Sequence, residues 1–180
     1  MHSGSGIYAI DDSALSKINP DIILTQELCE VCAVSYSQVE ASVRKLESDT
    51  NVISLEPTTL EGILETIIEI GNAIGAPSEA NELSRSLRKR INRVSEMSSP
   101  RSSKPKVLSL EWLDPPFSGG HWVPEMIDYS GGSEAIGLQG YPSREIGWEE
   151  AVAASPDLVI LMVCGFDLKK TAEEFQSLSN

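Results

Sequence analysis

The sequence predicts an α/β fold, and three observations carry that reading. Four short apolar segments with strand character alternate with segments whose apolar residues recur at helical spacing. The last of the four, LVILMV at 158–163, is an unbroken apolar run, the pattern of a strand buried on both faces of a parallel sheet. Residues 58 to 97 read as helix throughout, far more than one crossover between neighbouring strands needs, so the pattern divides into two lobes joined by a long helix.

The elements follow in order. IILTQ (22–26) opens after the turn signal NPD and reads as a strand. CAVSYSQVEASVRKLES (32–48) places Val34, Val39, Val43 and Leu46 near helical spacing. VISL (52–55) is the second strand. TTLEGILETIIEIGNAIG (58–75) is the clearest helix: Thr58 and Glu61 have capping-box spacing, Leu60, Ile63, Leu64, Ile67 and Ile68 form one stripe, and Gly75 with Pro77 ends it. A second helix at 78–97 carries Leu83, Leu87, Ile91 and Val94 on one side, while Arg85, Arg88, Lys89, Arg90 and Arg93 read as its solvated face. SSPRSSKP (98–105) is a linker. Beyond it come the strand KVLSLEW (106–112), a helix near 122–130, the short helix WEEAVAAS (148–155), the strand LVILMV and an amphipathic helix over 166–178. The expected organisation is a partial N-terminal lobe at 1–77, a spine helix at 78–97 and a partial C-terminal lobe at 98–180.

Composition narrows the function. The chain has 180 residues, 41% of them hydrophobic, enough for a packed core. A formal net charge of −13 repels phosphate backbones and anionic membranes, which argues against a nucleic-acid partner. No run approaches the roughly 18 apolar residues of a spanning helix, and MHSGSGIYAIDDSAL has no basic region leading into an apolar stretch, so no signal peptide is expected in this chain and it reads as cytoplasmic as written. Three cysteines, Cys29, Cys32 and Cys164, an odd count at low density, do not make a disulfide scaffold and fit a reducing compartment or a chain that does not depend on disulfides.

In open parallel sheets, ligands bind beyond the carboxyl ends of the strands. Three of the four strand ends carry unusual residues: QELCEVC after the first, EWLDPPFSGGHW after the third and CGFD after the fourth. The candidate ligand contacts are therefore Gln26, Glu27, Cys29, Cys32, Trp112, Phe117, His121, Trp122 and Cys164. Trp112, Phe117 and Trp122 are expected in a loop broken by Pro115, Pro116, Gly119 and Gly120, and loop aromatics that fix no periodic face more often line a site. Cys29 and Cys32 form a C-x-x-C at a helix start; packing in a ligand cleft, contact with a metal or heavy ligand, and a redox pair all fit. His121 reads either as a metal-directed imidazole or as a hydrogen-bonded helix-entry residue. No nucleophile elbow, Walker loop or dinucleotide fingerprint follows a strand, so no catalytic residues are assigned. A thiol-redox or metal-dependent enzyme built on Cys29, Cys32 and Cys164 is the rival class.

The phrases LCEVCAVS, EWLDPPFSGGHWVPE and CGFDL, set among INPDIILTQ, VISLEPTTLEGILETIIEIG and SPDLVILMV, resemble the cobalamin and iron-siderophore substrate-binding proteins of ABC importers, in their cobalamin-binding-protein-like branch. The resemblance covers nearly the whole chain. It implies a class III periplasmic-binding-protein-like architecture of two partial three-layer α/β lobes, with cobalamin or a similar metal chelate held in an inter-lobe cleft. It implies a carrier with no required cofactor, a corrinoid-like small molecule as partner, an ABC transporter permease as docking partner, and an extracytoplasmic or periplasmic setting. Docking acids of the family match Glu149 in the second lobe and the neighbourhood of Ser13, beside Asp11 and Asp12, in the first. Full family members carry further strand–helix portions at both ends, so the chain is expected to be truncated.

Overall fold

A computed structural model describes residues 10–26, 36–44, 49–98 and 103–178. Contacts divide the chain into two compact units, with the division between Pro57 and Thr58.

The first unit holds α1 (Asp12–Ile18), β1 (Ile22–Thr25), α2 (Tyr36–Val43) and β2 (Asn51–Ser54). The strands pair in parallel, Ile22 opposite Asn51 through Thr25 opposite Ser54, as a strand–helix–strand unit requires. Val39 and Ser42 of α2 are buried. Helix α1 forms because the Asp11 carboxylate accepts the Ala14 N–H at 2.9 Å, and it stops where Asn19 enters the left-handed region at φ 45°.

The second unit opens with a helical hairpin, α3 (Leu60–Ala73) and α4 (Pro77–Ser98). The expected capping box shifts by one residue. Thr59, not Thr58, is the N-cap, its hydroxyl accepting the Gly62 N–H at 3.0 Å. Glu61 turns instead to Arg88 on α4, and the Leu60 N–H is taken by the Glu125 carboxylate at 2.7 Å. The helices approach closely: a Cβ on Gly71 would stand 2.2 Å from that of Ala80. That contact turns Ala80 and Ser84 inward, with Leu87 and Ile91 half-buried behind them. Of the expected stripe, Leu83 and Val94 therefore stay 50% and 45% exposed. The five basic side chains of α4 are exposed, as expected of a solvated face. The contact division groups α3 with α4 and not with the first strands.

The remaining elements are β3 (Lys106–Leu113), β4 (Pro116–Ser118), α5 (Val123–Tyr129), β5 (Ser133–Glu134), α6 (Trp148–Ala153), β6 (Leu158–Leu161) and α7 (Leu168–Ser177). Strand β3 is central, parallel to β5 and β6 and antiparallel to β4. Its Leu108, Leu110 and Leu113 pack with Ile146, Ala151 and Val163, while Val107 packs with Val123 and Ile127. The strand buried on both faces is thus β3, which corrects the expectation for 158–163. Among the described residues β6 pairs only with β3, and Leu158, Val159 and Ile160 remain 52%, 45% and 38% exposed. An unbroken apolar run records hydrophobicity but not position in the sheet, so a central strand and an apolar edge strand look alike in sequence.

Candidate functional site

The aromatic segment is not a loop. Strand β3 continues through Leu113, turns at Asp114 and Pro115, and returns as β4, so Trp112 stands opposite Phe117 on paired strands. The peptide bond between Asp114 and Pro115 is cis. The register slips between Leu110 and Trp112, a bulge at Glu111 that re-aims the side chains beside it. Glu111 is used twice: its carbonyl accepts the Cys164 N–H at 3.1 Å, and its carboxylate accepts the Gly120 N–H at 3.1 Å. The first bond fastens the segment after β6 to β3, and the second fastens the segment after β4.

A buried polar knot lies behind the hairpin. Ser109, fully buried on β3, donates to the Glu134 carboxylate at 2.6 Å. The other carboxylate oxygen accepts the N–H groups of Ala135, Ile136 and Gly137 at 3.1, 3.3 and 3.3 Å. Gly119 is needed beside this knot, because a Cβ there would lie 2.2 Å from the Ser109 hydroxyl oxygen. At Gly120 a Cβ would meet the Ser143 nitrogen at 2.1 Å. The glycines of SGGHW are therefore set by close backbone and side-chain approach.

The exposed result is an aromatic cluster at the carboxyl ends of β3 and β6. Trp112 is 39% exposed, and its indole N–H donates to the Asp114 carbonyl at 3.0 Å, which fixes the ring. The Phe166 ring lies 5.4 Å away, tilted by 59°, within the range of a favourable aromatic pair. Lys170, in the first turn of α7, places its ammonium 3.8 Å from the centre of the Phe166 ring. Asp167 caps that helix by accepting the Lys170 N–H at 2.8 Å, which sets where the lysine leaves the backbone. Cys164 is a free, exposed thiol in the same strand-to-helix segment.

The other expected contacts are placed as follows. Phe117 is half-buried beside Trp112 and forms a bridge with Glu145. His121 takes a left-handed backbone at φ 50°, donating its N–H to the Tyr141 carbonyl at 2.6 Å while its own carbonyl accepts the Gly140 N–H at 2.9 Å. Its ring sits 5.8 Å from that of Trp122, and Trp122 packs on the core cluster of Val107, Val123 and Ile127. Gln26 is exposed at the end of β1. Glu27, Cys29 and Cys32 lie outside the described residues. Among the described residues no group of three or more His, Cys, Asp and Glu side chains is placed to hold a metal ion. No helix among them is long and apolar enough to cross a membrane.

Of the expected docking acids, Asp11 is engaged as the α1 cap and Glu149 is exposed on α6. Its neighbour Glu150 is held by Arg144, with one contact at 3.2 Å and a second, closer one. The Arg144 hydrogen bond, opposed by burial and helped by the Arg144 charge, holds the Glu150 carboxyl below its ordinary range. Phe166 and Lys170 were not among the expected contacts. The phrase CGFD pointed to the segment, but only the tertiary pairing of β3 with β6 brings Phe166 to Trp112.

A family model described as periplasmic binding protein matches residues 10–178. Among solved structures, an ABC transporter substrate-binding protein from Listeria monocytogenes superposes with a TM-score of 0.73 at 20% identity, over 93% of this chain and 64% of that one. A heme-complexed protein of S. aureus gives 0.73 at 16% identity, over 93% and 62%. The periplasmic vitamin B12 binding protein of Vibrio cholerae gives 0.65 at 14% identity, over 85% and 58%. These likenesses show a shared fold, and the chain spans less than two thirds of each of the three structures. None of the curated proteins compared matches the sequence.

Proposed function

The chain belongs to the periplasmic binding protein family, and from that premise we propose that it is a ligand-holding module of an ABC importer whose cargo is cobalamin or a related metal chelate. The observation that carries this reading is the Trp112 ring, 39% exposed yet fixed by its own hydrogen bond and by Phe166 at the carboxyl ends of two parallel strands. A ring already in place loses little freedom when a flat conjugated ligand settles on it. The module performs no bond chemistry; it grips by stacking and van der Waals contact, with Cys164 and His121 as polar or ligating neighbours. Gln26, Glu27, Cys29 and Cys32, which follow β1, are proposed contacts of the same kind on the first unit. Glu149 is the proposed contact with the permease, since Arg144 already occupies Glu150.

The test is titration calorimetry with cyanocobalamin and, separately, with hemin. Saturable binding of either by the native chain, weakened about tenfold or more in Trp112→Ala, is the expected result, since a lost aromatic stack removes on the order of 1 kcal/mol beyond its buried area. Absence of saturable binding by both ligands would sink the reading.

A further inference from the structure

We propose that the chain forms a two-fold dimer through the open edge of β6, with helix α7 of each copy lying against α7 of the other. The proposal stands apart from the binding reading, because the free edge of β6 lies on the side away from β3, the strand that carries Trp112.

Two features leave this side of the second unit unfinished. Among the described residues β6 pairs with β3 alone, so its other side presents unpaired N–H and C=O groups. Natural sheet edges are guarded by charge, proline or a bulge. Leu158 to Met162 carry no charge and no proline, and Leu158, Val159, Ile160 and Met162 are each more than a third exposed. The second feature is the outer flank of α7. Thr171 is buried beneath the helix, and Lys170 on one flank reaches Phe166, beside Trp112 of β3. Leu168, Ala172 and Phe175, spaced i, i+4, i+7, form the opposite flank, which therefore overhangs the free side of β6. Leu168 is 87% exposed and Phe175 46%. An apolar helix flank beside an apolar open edge makes one continuous surface, the kind that marks a protein–protein contact.

A second copy fits this surface because its pattern reads the same in both directions. A two-fold axis normal to the sheet makes the paired strands antiparallel and keeps each side chain on its own face. Residues directly opposite share a face, so the axis passes through a residue and not between two. Through Ile160, it sets Leu158 against the copy's Met162 and Val159 against its Leu161, apolar throughout. Through Val159, it would set Asp157 against Leu161, and the Asp157 carboxylate already accepts the Lys106 N–H at 2.8 Å. The axis through Ile160 also brings the two α7 helices side by side and antiparallel. Leu168 of each copy then meets Phe175 of the other. Lys169 of one approaches Glu173 of the other, where within one chain their contact is 3.8 Å and both are largely exposed. Opposite charges thus meet twice across the axis, which opposes the repulsion between two chains of net charge −13.

Sedimentation velocity of the native chain from about 0.5 to 100 µM tests this. The expected result is a rise from the 19.5 kDa monomer to a mass that levels off at twice that value. One short strand and one short helix make a small interface, so half-association is expected on the order of 10 µM, and submicromolar protein reads the single chain. Ile160→Lys, which puts two ammonium groups face to face at the axis, is expected to stay monomeric throughout. Leu168→Glu changes a side chain that the single chain leaves in solvent, so the fold is kept, while association is expected to weaken about tenfold or more. If Ile160→Lys does not fold, Leu168→Glu decides alone. A native chain that stays monomeric at the highest concentration, a mass that keeps growing past two copies, or a dimer that Leu168→Glu leaves as tight as before overturns the proposal.

Discussion

Gly119→Ala is expected to destabilise the second unit through one identifiable atom. The new methyl would stand 2.2 Å from the Ser109 hydroxyl oxygen, 2.9 Å from a Val123 methyl and 3.1 Å from the Ser109 Cβ, where ordinary contact begins near 3.4 Å. Ser109 is fully buried and cannot swing into solvent. Overpacking of this kind costs about 1–3 kcal/mol, and pushing the hydroxyl off Glu134 adds roughly 1 kcal/mol more. The expected loss is therefore about 2–4 kcal/mol. Ser109→Ala alone should cost about 1–3 kcal/mol, because the Glu134 oxygen loses a buried donor. In the double variant the worst contact no longer exists. The two losses should then fall short of their sum by about 1 kcal/mol or more, as coupled neighbours do. All three tryptophans, Trp112, Trp122 and Trp148, lie in the second unit, so urea unfolding followed by tryptophan emission reads this unit directly. Additivity within about 0.5 kcal/mol across the four proteins would refute the claim that the Ser109 hydroxyl dictates glycine at 119.

Three further outcomes follow from the same structure. Leu110→Ala, at a side chain 1% exposed, should cost about 2–5 kcal/mol, while Val159→Thr on edge strand β6, 45% exposed, should stay within about 0.5 kcal/mol; urea midpoints check both, and a large loss at Val159 would mean that β6 is covered. Asp167→Ala should cost about 0.5–2 kcal/mol by removing the α7 cap, and Asp167→Asn should restore most of it. The Glu150 carboxyl should titrate below the usual glutamate range by carbon-detected NMR and return toward it in Arg144→Gln. Because its folded pKa is depressed, its stabilisation is present above the unfolded pKa and is lost as pH falls through the folded one.

The strand and helix pattern was largely legible because it rests on local periodicity. Strands were expected at 22–26, 52–55, 106–112 and 158–163, and β1, β2, β3 and β6 stand there. The stripe on α3 and the basic face of α4 read correctly for the same reason. What local pattern does not contain is the partner. The run at 158–163 looked like a central strand, and VLSL in β3, with a serine in it, took that place. That serine was necessary, since Ser109 feeds Glu134, 25 residues away in sequence. The inward face of α4 was also misplaced, because the close approach of Gly71 and Ala80 depends on two helices at once. Short strands β4 and β5 escaped notice, as prolines and glycines mask strand character while pairing to β3 supplies it.

The segment EWLDPPFSGGHW shows how the same residues serve fold and site together. Its aromatic density suggested rings set aside for a ligand, and the geometry separates them by role. Trp122 faces the small cluster of Val107, Val123 and Ile127, whereas Trp112 faces outward onto Phe166. The glycines leave room for Ser109 and Ser143, and Glu111 ties the two flanking segments to β3. None of these constraints involves a ligand, so the position of Trp112 is settled when the unit folds. On the binding reading proposed above, a ligand stacking there would meet rings that need no ordering, and the free energy of stacking would appear in its affinity.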